Sequence, residues 1–238
     1  MTTAKLAYED FPSSEQRVLA RKFREIDFTP PVDLPIVDLI ELYSGIEYAL
    51  PQPHGLVIQL VGASTGPACE QIALDMAWAA ASALHRRVLV LICSHPSSNG
   101  SRAMPAVSAN DGGRYNVIAS EMAMMKVAGH DMYVADLSEW YGAVGALGAL
   151  EEMDGRLVEF REVFDMIVAV PPAAEADPLA TVLARHVDGN VIVVEAERTR
   201  RSAAIRVRET LARSGRPIVG TVLNGRRNYV PRWLARIL

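Results

Sequence analysis

Gly55-Leu56-Val57-Ile58-Gln59-Leu60-Val61-Gly62-Ala63-Ser64-Thr65-Gly66-Pro67-Ala68-Cys69-Glu70-Gln71 joins an apolar run to a Gly-punctuated turn and opens an Ala-rich helical pattern running from Ile72 to Leu84. Strand, Gly loop and helix in that order build a phosphate-binding loop, where backbone N–H groups and a helix N-terminus face one anion. In the full motif, G-x-x-x-x-G-K-[ST], the Lys meets the β- and γ-phosphates and the hydroxyl holds Mg²⁺. Here Gly62, Thr65 and Gly66 keep the turn, but Ala68 stands at the last Gly, Cys69 at the Lys and Glu70 at the hydroxyl. A neutral thiol does not replace an ammonium, and a carboxylate at that point repels phosphate. Glu70 falls in the first helical turn, where the helix dipole favours a carboxylate. It is expected to take, electrostatically, the place of the missing anion.

Outward from this stretch, strands and helices alternate. Before it, Asp38–Leu50 reads as a helix with Leu39, Leu42, Tyr43, Ile46 and Leu50 on one face, stopped by Pro51-Gln52-Pro53. The first strand is Leu56–Val61. After it come a helix Cys69–Leu84, a strand Arg87–Ile92, a long loop Ser94–Asn116, a Met-rich helix Val117–Val127 and a short strand Met132–Ala135. Glu139–Phe164 reads as mostly helical. A strand Met166–Val170, a helix Pro178–His186, a strand Asn190–Val194, a helix Ser202–Ser214, a strand Ile218–Leu223 and a closing helix Val230–Leu238 complete the chain. This alternation predicts an α/β fold, a doubly wound and mostly parallel sheet of P-loop type with a degenerate nucleotide site. Residues 36–238 read as one domain. Residues 1–35, broken by Pro12, Pro30, Pro31 and Pro35, read as a partly flexible leader with one short amphipathic helix over Ser14–Ile26.

Bulk properties narrow the function classes. With 238 residues, half of them hydrophobic, the chain can bury a full core. No stretch reaches the roughly 18 apolar residues of a membrane span, and the N-terminus lacks a signal peptide's apolar centre. A cytoplasmic protein is expected. The two cysteines, Cys69 and Cys93, are too few for a disulfide framework and read as buried, inert thiols. His95, His130 and His186 show no metal-ligand spacing, so no metal is expected. Charge is lopsided. From Arg198 onward there are eleven Arg and one acid, Glu209, a net of +10, so the preceding residues carry −14 of the overall −4. The basic end faces an acidic partner or an anionic membrane, or else pairs with the acidic body. Glu195 and Glu197 around Arg198 read as a solvated strand-end cluster.

Several stretches together carry a family resemblance: Phe164-Asp165-Met166-Ile167-Val168-Ala169-Val170-Pro171-Pro172, Val187-Asp188-Gly189-Asn190-Val191-Ile192-Val193-Val194 with Thr199, and Val219-Gly220-Thr221-Val222-Leu223-Asn224 followed by Tyr229-Val230-Pro231-Arg232-Trp233-Leu234. With the loop, they make residues 38–238 resemble the cytoplasmic P-loop domain of bacterial tyrosine autokinases linked to exopolysaccharide and capsule synthesis, within the deviant Walker-motif ATPases. The resemblance places the family's P-loop Lys and hydroxyl at Cys69 and Glu70. It places the Asp residues of the second Walker motif at Ile92 and Ser94, and the Walker B Asp at Ala169. Asn224 matches an Asn used near the adenine, a remnant of a base pocket. The family's E-x-x-R-x-x-R oligomerisation helix aligns as Glu41, Ser44 and Glu47, and Tyr229 alone stands for its C-terminal tyrosine cluster.

Phosphoryl transfer rests on positioning and on charge stabilisation by Lys and Mg²⁺. With those groups replaced together, the resemblance implies a catalytically inactive relative without a cofactor. It would serve as an accessory or scaffold in exopolysaccharide biosynthesis or export. Its partner would be an inner-membrane polysaccharide co-polymerase or another synthase-complex protein; a homo-oligomer is open, and no nucleic acid is expected. The rivals are an active kinase or ATPase with an unorthodox site, and a positioning ATPase of the same fold. At the end of the chain, Val230, Trp233, Leu234, Ile237 and Leu238 form one apolar stripe, with Arg226, Arg227, Arg232 and Arg236 around it. This end reads either as docked on the protein's own last strand and helix, or as a partner or membrane surface that makes the protein peripheral at the inner membrane.

Overall fold

Runs of Val, Leu and Ile dictate the strands, and in the computed structural model they form one eight-stranded sheet with helices on both faces. The structure describes residues 24–26, 34–50, 54–93, 124–137, 153 and 155–225. In chain order these give β1 (Arg24–Ile26), α1 (Ile36–Ala49), β2 (Leu56–Gly62), α2 (Ala68–Ala83), β3 (Val88–Ile92), β4 (Met124–Val127), β5 (Met132–Asp136) and α3 (155–161). Then follow β6 (Met166–Val170), α4 (Leu179–Leu183), β7 (Gly189–Glu195), α5 (Arg201–Ala212) and β8 (Ile218–Asn224). The strand order is β1-β4-β5-β3-β6-β2-β7-β8. Every neighbouring pair from β5 to β8 is parallel, while β4 runs antiparallel to β5 and β1 lies parallel to β4.

The core explains the layers. All seven residues of β2 are buried. Leu56, Ile58 and Leu60 face α1 and α2, whereas Val57 faces the side covered by α3 and α4. α2 buries twelve of its sixteen residues, and its alanines let the helix lie close against the strands. On the other face, Leu157 and Phe160 of α3, Leu179 and Leu183 of α4, and Val207 and Leu211 of α5 complete the core. β2 connects through α2 to β3, yet β6 lies between the two strands. The return from β6 through α4 passes to β7 on the opposite side of β2. Connections thus diverge at the carboxyl end of β2, the point where open α/β sheets hold ligands.

The amino edge of the sheet is locked by polar contacts. Arg161 donates both guanidinium arms to Asp188, at 2.6 and 2.9 Å, and also donates to the Gly55 carbonyl at 2.9 Å. Asp188 Oδ2 accepts the Val57 N–H at 2.8 Å, and Asp188 returns its own N–H to the Val57 carbonyl. Gly55 has no room for a side chain, because a Cβ would collide with the Phe164 and Arg161 carbonyls. Asp165 accepts the Arg87 N–H at 2.7 Å and fixes the start of β3.

Two stretches differ from the sequence reading. The Met-rich helix expected over Val117–Val127 is a strand in its described part, β4. Its Met124, Met125 and Lys126 pair with Ala135, Val134 and Tyr133. Gly129, at φ +73°, turns the chain back, and Lys126 meets Asp131 across that turn at 3.3 Å. Cross-strand pairing thus overrides the helix propensity of Met. The leader's amphipathic helix ends differently too, since Arg24–Ile26 is strand β1. The closing helix Val230–Leu238 and the long loop Ser94–Asn116 lie outside the described residues.

Candidate functional site

Gly62 closes β2, and the turn Ala63-Ser64-Thr65-Gly66-Pro67 leads directly into α2. The turn is anchored on β7: the Ala63 N–H donates to the Val193 carbonyl at 3.0 Å. Ser64 Oγ lies 2.9 Å from Thr199 Oγ1, which also accepts the Glu195 N–H at 2.9 Å. A Cβ on Gly62 would come within 2.9 Å of the Ser64 carbonyl and 3.3 Å of Cys69 Sγ, so the turn is tightly folded on the first helical residues. α2 begins behind Pro67 with no side chain capping it, and Glu70 is the acid of its first turn.

Over this loop stands Glu195, the last residue of β7. A Cβ on Gly66 would lie 2.5 Å from Glu195 Oε1, while Arg198 holds the other oxygen at 2.8 Å. The carboxylate is 13% exposed; of the cluster read from sequence as solvated, Glu197 and Arg198 are exposed and Glu195 is packed against the loop. Cys69, at the Lys position, is buried, and its thiol is pushed up to about 12, first by burial and then by the charge of Glu195. The thiol is thus neutral at physiological pH. Glu70 is buried as well. Two carboxylates and a neutral thiol surround the point where a phosphate loop presents cation and hydroxyl.

The structure scatters the other expected positions. Ile92 is buried on the α2 face of the sheet. Ala169 pairs with Gln59 and Leu91 inside β6, one residue short of the strand's end. Its register puts it on the face opposite α2, beside Leu91 and Cys93, and Val170 takes the α2 face instead. Cys93 is likewise pushed up to about 12, by burial and then by Asp136 and Asp177. Asn224 ends β8 opposite Glu195, and its side-chain oxygen accepts the Gly225 N–H at 2.9 Å. Ser94, Arg226, Arg227, Arg232, Trp233 and Arg236 lie outside the described residues. Sequence reasoning missed the joint closure of the loop by Ser64, Thr199 and Glu195. Its sole signal was the acid-x-x-Arg-Thr string after a strand, which nothing in the chain links to Gly66.

A magnesium nucleotide does not fit this set of groups. No hydroxyl or Lys follows the turn, the thiol carries no charge, and Glu195 occupies the approach to Gly66. Among the described residues no group of three or more His, Cys, Asp or Glu is arranged to hold a metal ion.

No protein-family model matches the chain, and no curated protein does. Solved structures match by shape. The kinase domain of the Escherichia coli tyrosine kinase ETK superposes with a TM-score of 0.66 at 16% identity, covering 91% of this chain and 88% of that one. The chimerical protein CapA2B2 gives 0.60 at 14%, over 90% and 98%. The Pyrococcus furiosus cell-division ATPase MinD gives 0.51 at 19%, over 77% and 78%. With β2 at the centre, its loop running into α2 and β6 inserted beside it, the chain has the P-loop-type α/β fold of these tyrosine kinase and cell-division ATPase structures.

Proposed function

We propose that the protein is a catalytically silent member of the exopolysaccharide tyrosine-autokinase group, serving as an accessory or scaffold in bacterial exopolysaccharide biosynthesis or export. The observation that carries this reading is Glu195 standing over Gly66 while a neutral Cys69 fills the Lys position. The fold likeness to a tyrosine kinase domain supports the group. The phosphate loop is retained as a turn that joins β2 to α2, closed by internal contacts instead of by a nucleotide. In this role the protein acts through its surfaces, on an inner-membrane polysaccharide co-polymerase or another synthase-complex protein. No helix among the described residues is long and apolar enough to cross a membrane.

The rival is an ATPase with an unorthodox site, in which Arg198 beside the loop supplies the cation. Isothermal calorimetry with ATP, with and without Mg²⁺, decides between them. No binding at physiological nucleotide concentration is expected. Stoichiometric, Mg²⁺-dependent binding in the micromolar range would overturn the silent reading. Cys69→Lys alone should not create ATP hydrolysis, because the hydroxyl and the acidic positions stay replaced.

A further inference from the structure

Seven of the eleven Arg from residue 198 onward lie among the described residues. Two of them form ion pairs there, Arg198 with Glu195 at 2.8 Å and Arg206 with Glu175 at 2.6 Å. Arg200, Arg201 and Arg208 are exposed, and no described acid pairs with them. Internal neutralisation therefore leaves most of this charge facing outward.

Its arrangement is specific. α5 buries Ala203, Val207 and Leu211, and at helical spacing Arg201, Ile205 and Arg208 form a stripe on one outer flank. Arg206 lies on the other flank, toward Glu175 in the connection between β6 and α4. The stripe thus faces β8, the edge strand. Leu223 pairs with Val194, which packs in the cluster of Val207 and Leu211, so Leu223 stands on the α5 side of the sheet. It is 54% exposed, and Ile205 is 37% exposed. Glu209 is the single acid of the helix.

We infer that this α5–β8 edge is a docking surface for an anionic lipid bilayer. Headgroup phosphates accept the planar guanidinium forks of Arg201 and Arg208, and the interfacial layer receives the apolar tips of Ile205 and Leu223. A surface that sets exposed apolar tips beside cations matches a bilayer on both counts; an acidic peptide or duplex DNA would answer to the charge alone. This inference draws its biological meaning from the proposed role at the inner membrane. It is read by a lipid assay, whereas catalytic silence is read by calorimetry, so either can fail alone.

The test is sedimentation of the full-length protein with vesicles of phosphatidylcholine containing phosphatidylglycerol, beside vesicles of phosphatidylcholine alone. Binding to the anionic vesicles at low salt, weakening as salt rises, is expected, with none to the neutral ones. Each Arg near an anionic surface contributes about fivefold in partitioning, so Arg201→Gln/Arg208→Gln should weaken binding about 30-fold. Arg206→Gln removes a charge on the other flank and should change it little. If the double variant folds poorly, the single variants Arg201→Gln and Arg208→Gln should each show about a fivefold loss. Three results overturn the inference. They are full-length protein that ignores anionic vesicles, an Arg201→Gln/Arg208→Gln variant that binds them as the parent does, and protein that takes up a polyglutamate peptide or duplex DNA while leaving the vesicles in solution.

Discussion

At the amino edge of the sheet, Asp188 spends both carboxylate oxygens on Arg161 and accepts the Val57 N–H, while the Gly55 backbone is wedged between the Arg161 and Phe164 carbonyls. At the carboxyl edge, Glu195 has Arg198 as its ion-pair partner, that Arg is 65% exposed, and the loop beneath is a run of small residues. The first arrangement is bidentate and part-buried, and three strands start from it. The second closes a turn. Of the residues that carry the family resemblance, Phe164, Asp165, Asp188 and Gly189 belong to the amino edge and set where β6, β2 and β7 begin, while Pro171, Thr199 and Asn224 lie at the carboxyl edge. Residues that would carry phosphoryl chemistry belong to the carboxyl edge. A buried ion pair is hard to lose because removing one partner strands the other. A ligand-facing Lys or Asp contributes little to the fold, so its replacement leaves the architecture intact.

The largest expected effect follows from that contrast. Asp188→Ala leaves the Arg161 guanidinium part-buried and the Val57 N–H without its acceptor. It should cost up to about 3–5 kcal/mol, the range for a fully buried pair broken from one side. For a chain of this size that is a fall in melting temperature on the order of 10 °C. Cys69→Ala at the opposite edge should cost less. If calorimetry finds the two equal, the amino edge is not the foundation claimed for it.

How much of this was legible in the chain depends on which forces set each part. β2, α2, β3, β6 and β7 could be read from apolar runs bounded by turn residues, since their burial makes the pattern nearly continuous. β4 could not, because Met124-Met125-Lys126-Val127 is too short to show a period and its pairing depends on β5. The turn between β2 and α2 was legible from spacing. Glu195 was not, because its place over Gly66 comes from β7 lying beside β2, a fact of the sheet order. Likewise the side of the sheet taken by Ala169 follows from its register with Gln59 and Leu91.

The two thiols sharpen the comparison at the carboxyl edge. A Cys in the first turn of a helix ordinarily has its pKa lowered by the helix N-terminus. Here burial and Glu195 outweigh that effect, and both Cys69 and Cys93 are pushed up to about 12 from an ordinary 9.0. The folded state therefore keeps these protons at a pH where the unfolded chain has released them. Stability is unaffected below about pH 9 and declines as pH rises from about 9 toward 12. Tyr43, its hydroxyl raised by burial, acts in the same direction. Thermal melts should hold steady from neutral pH to about 9 and fall beyond it, with a shallower fall in Cys69→Ala and in Cys93→Ala. Rapid labelling of native Cys69 by iodoacetamide near neutral pH would show that the edge still favours an anion.

The smallest effect tests the approach of Glu195 to Gly66. Gly66 has a backbone outside the left-handed region, so an Ala there meets one obstacle, Glu195 Oε1 at 2.5 Å from its Cβ. In the parent protein, Gly66→Ala must push the carboxylate aside and disturb its pair with Arg198, an exposed pair worth about 0.2–1 kcal/mol. The same substitution stabilises by about 0.4–1 kcal/mol through the unfolded chain, so the two should nearly cancel. In a Glu195→Ala background the obstacle is gone, and Gly66→Ala should raise stability by that full amount. A double-mutant cycle by urea unfolding should therefore give a coupling of about 0.4–1 kcal/mol. Glu195→Gln keeps the volume of the side chain and should keep the steric part of the coupling, which separates crowding from charge. Additive effects within about 0.3 kcal/mol would mean that Glu195 does not stand over the loop in solution. The Gly would then have to be explained by some other group that approaches it.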